Sequence, residues 1–345
     1  MDIWERLQNT KKNIVLYGTG DGADRLLDIL IERNIPVRAV FASDGFVRER
    51  SFRGFRVKTL SECEKEFSDM LILLCFGSGR REVIENVKAI SAKHELYAPE
   101  IPVCGEGLFD RAFYEQHRAE LSAVRAHLAD RQSVKCFDSL IEYKLSGDIS
   151  HLFSCESENK DSECLPKLSG AAYIDLGAYT GDSVLSFAES FRDYKKIIAV
   201  EPDPRNYRRL CENTAALKNI RCVNAMAGAD CGESFLDSKK GRGARSALSG
   251  SAVRRLNIDS LIAEIPACEK LYIKLDIEGA ELSALCGAEK LFSHFSPLVK
   301  IACYHRREDY FSLPLKLLEY NPDYKIYMRH SAHILSWDTD YYFLP

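Results

Sequence analysis

The sequence predicts an α/β protein with two parallel β-sheets that follow one another along the chain. Three observations support this fold class: a length of 345 residues, a composition typical of globular proteins, and two segments in which a strand, a glycine turn and a helix succeed one another. At about 150 residues per domain, the length indicates roughly two domains. With 46% apolar and 28% charged residues, the chain is predicted to be neither disordered nor a coiled coil.

The first strand–turn–helix segment begins at Asn13. Its strand, NIVLY (13–17), is rich in β-forming residues, a glycine turn follows at once, and the next residues are apolar at helical spacing. Further strands are predicted at 37–43 and 70–76. Because these strands alternate with helical segments, they are expected to lie parallel in one sheet.

The glycine turn of this first segment contains Gly18, Gly20 and Gly22. Such glycines allow a phosphate to approach a helix N-terminus, and Asp44 stands where an acid would meet a ribose. The spacing is GxGxG, however, whereas the dinucleotide-binding turn has GxGxxG. Two interpretations therefore stay open: a nucleotide bound at the turn, or a tight turn with no ligand.

Over residues 12–100 the pattern resembles the small Rossmann-like domain that precedes some sugar-modifying acyltransferases and nucleotide-sugar enzymes. The resemblance implies a first unit at residues 1–105, with a nucleotide-sugar as the partner of Gly18–Gly22. An exposed edge of its sheet would also allow a homodimer.

A helical region is predicted between the two sheets, at residues 106–168. The segment 108–130 has a helical period and is expected to form one long helix. A second helix is predicted at 133–148, with Ser133 as its N-cap and Gly147 as its end.

The second strand–turn–helix segment covers residues 171–191 and opens a unit at 169–345. A strand at 196–200 then ends in front of Glu201, which is the position of the ribose-binding acid in a strand–helix–strand unit. The remaining strands are predicted at 219–228, at the start of 270–292, and at 297–305, 323–330 and 338–345, the last two forming a hairpin.

The second glycine turn favours S-adenosylmethionine (AdoMet) over a dinucleotide. Its pattern, DxGxxxG, combines Asp175 with Gly177 and Gly181, and Tyr179 lies between the glycines. A carboxylate at such a turn repels a pyrophosphate but suits a cationic amino-acid group. Glu201 can accept hydrogen bonds from both ribose hydroxyls.

Four motifs resemble those of the FkbM methyltransferase family, and the similarity runs from about residue 108 to 345. The family implies a class I AdoMet methyltransferase sheet with a helical prelude, so that the chain would hold two Rossmann-like domains. It also implies AdoMet-dependent O-methylation, often of sugar hydroxyls. The usual family turn has Asn where this chain has Tyr179. The motifs are DLGAYTGDS (175–183), AVEPDPRNYRRLCEN (199–213), LYIKLDIEGAELSALCGA (271–288) and PLVKIACYH (297–305).

The resemblance implies two groups of site residues. The cofactor group covers the turn, the ribose acid, the adenine region and the end of the fourth strand; it consists of Asp175, Gly177, Tyr179, Gly181, Glu201, Asn224, Ala225 and Asp276. The acceptor group consists of Glu278, Glu281, Arg245 and Arg306.

The catalytic residues are expected to be His305, Asp276 and Lys274. A histidine at a strand end is a natural general base near neutral pH, although it could equally be a solvated residue. The structural alternative for Lys274 is a salt bridge to a nearby Glu, with Asp276 capping the following helix.

No metal is expected, although Asp276, Glu278 and His305 could supply oxygen and nitrogen ligands, because no spacing in the sequence requires an ion. The segment 238–250, which contains Arg245, carries four cations and three glycines. It is either a solvated loop or a lid over a polar or anionic acceptor.

The sequence thus predicts an AdoMet-dependent O-methyltransferase that acts on a saccharide-containing acceptor. Two alternatives remain: a nucleotide-sugar or NAD-binding enzyme centred on Gly18–Gly22, and a non-catalytic AdoMet-binding protein. A net charge of −4 argues against a nucleic-acid partner. The longest apolar run, of about seven residues, is far below the roughly 20 that a membrane span needs, and the charged first residues lack the apolar core of a signal peptide. A cytoplasmic location is therefore expected.

Overall fold

Two large β-sheets flanked by helices, with a small third sheet beside the second, build the structure. This computed structural model describes residues 2–43, 51–237, 245–247, 251–268 and 270–345. The α/β fold class predicted from the sequence is confirmed.

The first sheet has the strand order β3-β4-β2-β1-β5-β6. All neighbouring strands run parallel except β3 and β4, which form a short hairpin. Strand β5 is apolar and buried throughout, and β1 is buried after Asn13, as expected for a parallel sheet with both faces covered. The elements are α1 (Ile3–Asn9), β1 (Asn13–Tyr17), α2 (Asp21–Glu32), β2 (Val37–Phe41), β3 (Ser51–Phe52), β4 (Phe55–Lys58), α3 (Leu60–Glu66), β5 (Met70–Leu74), α4 (Arg81–Ser91) and β6 (Glu95–Tyr97).

Five helices occupy the region between the large sheets. The prediction of one long helix at 108–130 is wrong, because the helix breaks at His117, where the backbone leaves helical geometry and the ring stacks on Phe311 with centroids 4.6 Å apart. The helices are α5 (Arg111–Gln116), α6 (Arg118–Ala126), α7 (Arg131–Ser146), α8 (Ser150–Ser154) and α9 (Lys160–Cys164).

Helix α7 begins and ends through different capping interactions. The prediction that Ser133 is its N-cap is wrong: Asp130 is the cap, and its carboxylate accepts a hydrogen bond from the Ser133 backbone N–H at 2.6 Å. The Ser133 hydroxyl instead accepts from the backbone N–H of Met328 at 3.0 Å, which ties the helix to the second sheet. Gly147 ends the helix with φ +69°, as predicted.

The second half of the chain holds the remaining elements. These are β7 (Ala172–Leu176), α10 (Asp182–Ser190), β8 (Lys196–Val200), α11 (Pro204–Thr214), β9 (Ile220–Val223), β10 (Met226–Ala227), β11 (Gly232–Asp237), β12 (Arg245–Ala247), β13 (Ser251–Leu256), a 3-10 helix (Ile258–Glu264), β14 (Leu271–Leu275), α12 (Glu281–Cys286), α13 (Glu289–His294), β15 (Leu298–Ala302), α14 (Asp309–Tyr320), β16 (Lys325–His330) and β17 (Thr339–Leu344).

The second large sheet has the order β16-β17-β15-β14-β7-β8-β9. Strands β15, β14, β7, β8 and β9 are parallel, and β16 and β17 form the predicted antiparallel hairpin at the other edge. The carboxyl ends of the parallel strands therefore meet at one edge of the sheet, where ligands bind in open α/β folds.

The single strand predicted at 219–228 is wrong. Strand β9 ends at Val223, and β10 pairs instead with β13 in a small sheet of order β10-β13-β11-β12. The Asn224 side-chain amide donates to the backbone oxygens of Glu201 and Pro202, at 2.9 and 3.0 Å, and so fixes the turn between β9 and β10. Of the predicted lid at 238–250, only the backbone of β12 is described, paired with β11; the rest lies outside the described residues.

One apolar core runs through both large sheets and the helices between them. It includes Val15 and Ile72 of the first sheet, Phe137 of α7, and Ile174 and Ile301 of the second sheet. No helix in the described ranges has both the length and the apolar surface needed to cross a bilayer.

Candidate active site

A cavity of about 690 Å³ lies at the edge where β7, β8 and β14 end. One wall comes from the glycine turn after β7 and from the residues that follow β8 and β9. The opposite wall comes from the loop after β14, from Tyr304 and Arg306 beyond β15, and from the small sheet. The cavity thus collects side chains from strands that are far apart in sequence.

The glycine turn between β7 and α10 requires glycine for steric reasons. Gly177 has φ +85°, and a β-carbon there would overlap the backbone oxygen of Asp276. Gly181 has φ +98° and packs against Leu210. Tyr179 also adopts a left-handed conformation, with φ +49°. Asn tolerates that conformation better than Tyr does. The turn nevertheless has its left-handed residue here, although that residue is Tyr179 and not Asn.

Asp175 lies beneath this turn and is fully buried. Its carboxylate accepts hydrogen bonds from the hydroxyls of Tyr173 and Ser183, and from the Lys274 ammonium at 3.1 Å. Three donors from the protein occupy this carboxylate, and it does not line the cavity. The geometry therefore indicates a supporting role, whereas the sequence suggested direct contact with the cofactor.

Lys274 is the ion-pair partner of Asp175. Burial alone would lower the pKa of Lys274, but the Asp175 carboxylate raises it above its usual value. The ammonium is 3.9 Å from Asp276 and does not line the cavity. The sequence suggested, as an alternative role, a salt bridge between Lys274 and a Glu; the salt bridge exists, but its partner is Asp175. Asp276 does not cap the next helix, which begins after Ala280.

Glu201 follows β8 and lines the cavity, although only 5% of its surface is exposed. Its two carboxylate oxygens accept from the backbone N–H groups of Tyr179 and Asp203, both at 2.9 Å. Burial raises the pKa of Glu201 to about 7, against the opposing effect of these hydrogen bonds. Ala225 contributes to the same wall, whereas Asn224 supports it from behind.

The loop after β14 brings two carboxylates, those of Asp276 and Glu278, to the cavity wall. Neighbouring segments hold the loop in place. Arg306 donates from Nε to the Gly279 oxygen at 2.7 Å, and the Cys104 thiol lies 2.9 Å from the Glu278 oxygen. The predicted acceptor residues Glu278 and Arg306 therefore lie at the cavity.

His305 lies behind that loop and is fully buried. Its Nδ1 is 2.9 Å from Glu281 Oε1, and its Nε2 is 3.6 Å from Asp276 Oδ1 and 3.7 Å from Glu278 Oε2. Burial alone would lower the pKa of this ring, but the neighbouring carboxylates, Glu281 foremost, raise it to about 10.

The ring does not line the cavity, and its raised pKa favours the protonated form, which is the opposite of what a general base needs. Both features argue against His305 as the general base, a role that stays a prediction. Glu281, predicted to bind the acceptor, is also fully buried and is occupied by His305 and by the backbone N–H of Ile277 at 2.8 Å.

Sequence reasoning missed several cavity residues. Arg255 and Ser234 reach the cavity from the small sheet, and Cys104 and Gly105 reach it from the segment before α5. Arg255 is ion-paired with Asp230 at 2.5 Å. No motif marks these positions, because pairing between distant segments brings them to the site. The side chain of Arg245 lies outside what the structure describes, so its acceptor contact stays a prediction.

The other glycine turn, Gly18–Gly22, does not line this cavity. A β-carbon at Gly22 would overlap the backbone oxygen of Cys75, so helix packing alone accounts for glycine at this position. Asp44, the proposed ribose acid, lies outside the described residues. Nucleotide binding at this turn stays a prediction.

Comparison with known proteins gives a match to a domain and a similar fold. Residues 175–333 match the family model described as the methyltransferase FkbM domain. The structure of methyltransferase FkbM from Methylobacillus flagellatus KT is similar with a TM-score of 0.75 and 20% identity, over 99% of this chain and 93% of that one. This likeness therefore includes the first sheet. No curated protein matches the chain significantly.

Two further solved structures resemble only about half of the chain. Fibrillarin from Aeropyrum pernix, in complex with natively bound AdoMet, has a TM-score of 0.34 and 14% identity, over 52% of this chain and 69% of that one. Precorrin-6y C5,15-methyltransferase from Geobacter metallireducens has a TM-score of 0.32 and 10% identity, over 51% and 80%. Scores this low carry no further argument.

Proposed function

We propose that this chain, an AdoMet-dependent methyltransferase by the FkbM methyltransferase domain matched at residues 175–333, methylates a hydroxyl of a saccharide or glycosylated acceptor. One observation carries the proposal: a single cavity joins the Glu201 wall to the carboxylates of Asp276 and Glu278. Cofactor and acceptor can therefore meet without a change of site.

The described residues fit AdoMet in size and chemistry. The cavity of about 690 Å³ is within the roughly 300–1,000 Å³ typical of cofactor sites. Glu201 is rigidly held where it can accept hydrogen bonds from a ribose, and Val200, Pro202 and Met226 give an apolar wall for adenine. The carboxylates across the cavity suit a cationic sulfur.

The acceptor half of the cavity suits neutral hydroxyls. Asp276, Glu278, Tyr304, Arg255 and Arg306 offer hydrogen-bonding groups around one space, and such groups recognise neighbouring hydroxyls of a sugar ring. Two adjacent carboxylates repel a phosphate or carboxylate at the reacting position. We therefore favour a neutral sugar over an anionic one.

Bound AdoMet supplies a methyl group on a positively charged sulfur. Asp276 and Glu278 accept hydrogen bonds from the acceptor and orient its reacting oxygen. The Asp276 carboxylate also takes up the proton of the acceptor hydroxyl. Arg306 and Cys104 keep the loop in place while this happens. His305 lies behind the loop, with Nε2 3.6 Å from Asp276 and 3.7 Å from Glu278, and so helps to align both carboxylates.

The test is methyl transfer from labelled AdoMet to a panel of sugars, nucleotide-sugars and glycans. We expect Asp276→Asn to lower kcat about 100- to 1,000-fold, since it removes the proton acceptor, which is a larger effect than its weakening of AdoMet binding. Glu212→Gln is the matched control, because Glu212 is an exposed acid of α11 that does not line the cavity. Tight AdoMet binding with no methylated product from any acceptor would support the non-catalytic alternative instead.

A nucleotide-sugar at Gly18–Gly22 is the weaker candidate. The Gly22 contact with Cys75 explains one glycine without a ligand, and the partly buried Phe76 ring lies against Gly18. Binding of a UDP-sugar that Gly20→Ala abolishes would revive this candidate.

A further inference from the structure

The loop that carries the two cavity carboxylates, residues 276–280, has a strained backbone. Glu278 has φ +55°, a left-handed conformation that is unfavourable for a residue with a β-carbon, and Gly279 follows with φ +92°. Such a conformation persists only where the surroundings hold it. The contacts that hold this carboxylate loop therefore decide where the Asp276 and Glu278 side chains stand in the cavity.

Three consecutive residues of the carboxylate loop are each bound by a side chain. The backbone N–H of Ile277 donates to Glu281 at 2.8 Å, and the Gly279 oxygen accepts from Arg306 at 2.7 Å. Between them, the Glu278 backbone oxygen accepts from the Cys104 thiol at 2.9 Å. Glu281 and Arg306 belong to the same half of the chain as the loop, whereas Cys104 precedes Glu278 by 174 residues.

Cys104 lies in a segment that follows the last strand of the first sheet, residues 101–107, here named the strap. The backbone N–H of Cys104 donates to the His305 oxygen at 2.7 Å, so the strap is bound both to the carboxylate loop and to the residues that follow β15. Cys104 and Gly105 line the active-site cavity. Part of the cavity wall therefore comes from outside the methyltransferase domain matched at residues 175–333.

The first sheet and its neighbouring helices anchor the beginning of the strap. Arg25 of α2 donates to the Pro102 oxygen. Just before the strap, the buried Glu100 carboxylate accepts from the Lys144 ammonium of α7 at 2.5 Å and from the Ser336 hydroxyl at 2.6 Å. Because breaking a buried ion pair is costly, the strap starts from a fixed point.

Close packing between the strap and the carboxylate loop adds to these hydrogen bonds. A β-carbon at Gly279 would lie 2.8 Å from the Cys104 sulfur, which is closer than real side chains approach. The strap thus lies directly against the loop. A strap that moved away would release the Glu278 oxygen and let the strained backbone relax, and the two carboxylates would move with it.

We propose that the strap is a clamp on the carboxylate loop, held by the first sheet, and that Cys104 and Arg25 are positioning residues for methyl transfer. The effect on methyl transfer rests on the proposed function, which places the reacting hydroxyl at Asp276 and Glu278, whereas the clamping of the loop does not. Small displacements of reacting groups lower rates strongly. The first sheet therefore has a function that needs no ligand at Gly18–Gly22.

Hydrogen–deuterium exchange of the full chain with AdoMet, read by mass spectrometry on peptides that cover residues 276–281, measures the hold on the loop. We expect exchange at least about tenfold faster in Cys104→Ala than in the wild type. Cys104→Ser keeps a donor and should differ less than about threefold from the wild type, and Arg25→Ala should have a smaller effect of the same sign as Cys104→Ala. Cys164→Ala is the matched control, because Cys164 is 6% exposed, like Cys104, but does not line the cavity.

Methyl transfer by the same variants, with the best acceptor of the sugar panel, measures the positioning. We expect kcat to fall about 10- to 30-fold in Cys104→Ala, with a smaller change in KM, and to recover largely in Cys104→Ser. A purely structural cysteine would reduce the yield of folded protein and leave the kcat of the folded enzyme unchanged. Faster loop exchange at wild-type kcat would therefore remove the positioning role.

Unchanged loop exchange in Cys104→Ala, or an equal increase in Cys164→Ala, would overturn the clamp. An increase in Cys104→Ala without one in Arg25→Ala would remove the role of the first sheet. If Cys104→Ala does not fold, Arg25→Ala decides the proposal, because Arg25 lies outside the strap and the cavity. Faster loop exchange in the variants with no methylated product from the wild type would sink the proposed function only. Wild-type loop exchange and kcat in Cys104→Ala would sink this inference only.

Discussion

The two glycine turns of this molecule are alike in sequence and different in their surroundings. The first turn, Gly18–Gly22, faces a neighbouring strand that continues into Cys75 and Phe76, and the Phe76 ring packs edge-on against Tyr17 with centroids 5.0 Å apart. The second turn, Gly177–Gly181, faces a neighbouring strand that continues into Asp276, at the wall of the large cavity.

A glycine turn therefore does not by itself make a ligand site. Both turns use a glycine to pack against the backbone oxygen after the next strand, at Cys75 in one case and Asp276 in the other. What differs is the side chains that follow the neighbouring strands. Aromatic rings occupy the space in the first sheet, whereas carboxylates surround an open space in the second.

The largest expected effect concerns the buried charge beneath the second turn. Asp175→Asn leaves Lys274 without its nearest carboxylate and should lower the free energy of unfolding by about 3–5 kcal/mol. Beneath the first turn, the Tyr17 hydroxyl makes only neutral hydrogen bonds, with Ser43 and from the Asn86 amide, so Tyr17→Phe should cost about 1–2 kcal/mol. Urea unfolding measures both. Equal losses of unfolding free energy in the two variants would contradict this difference between the turns. A folded Asp175→Asn protein that binds AdoMet more than about tenfold more weakly would indicate that Asp175 contacts the cofactor directly.

The next effect compares one glycine from each turn. Gly177→Ala should weaken AdoMet binding about 100-fold or more, because the added β-carbon displaces the Asp276 backbone and φ is +85°. Gly20→Ala is the control, since its β-carbon would meet nothing within 4 Å. Isothermal titration on the folded variants measures both affinities. A comparable loss in Gly20→Ala would move the cofactor to the first turn.

A smaller effect follows from the raised pKa of Glu201. Its ionised carboxylate binds ribose hydroxyls best, so AdoMet affinity should rise about tenfold from about pH 6 to about pH 8, through the pKa of about 7. Glu201→Gln should bind more weakly and show no such rise. Because the folded pKa is above the unfolded value of 4.5, this group's contribution to stability is fully present below pH 4.5 and is lost as the pH rises through about 7. A flat wild-type profile would argue against ribose contact.

Much of the second site could be predicted because strand ends of a parallel sheet meet at one edge. Glu201 and Asp276 each follow a short apolar strand, so their position along the chain was enough to bring them to the cavity. The same logic identified the edge at which His305 lies. It could not tell that Tyr304 faces the cavity and that His305 turns behind the loop, because the chain leaves the strand at Ala302.

Other features depend on contacts between distant segments. Arg255 reaches the cavity because β13 pairs with β10 and β11, and Cys104 because its backbone N–H donates to the His305 oxygen at 2.7 Å. The local spacing of apolar residues in the sequence indicates neither of these contacts. The helix break at His117 is similar, since the stacking partner Phe311 is almost two hundred residues away.

AdoMet binding beside Glu201 is tested by isothermal titration of the wild type and Glu201→Ala with AdoMet, NAD and a UDP-sugar. We expect one AdoMet site per chain, whose affinity weakens at least about tenfold in Glu201→Ala, and no binding of NAD. Binding of NAD or the UDP-sugar but not AdoMet, unaffected by Glu201→Ala, would contradict it and move the active site to the first glycine turn.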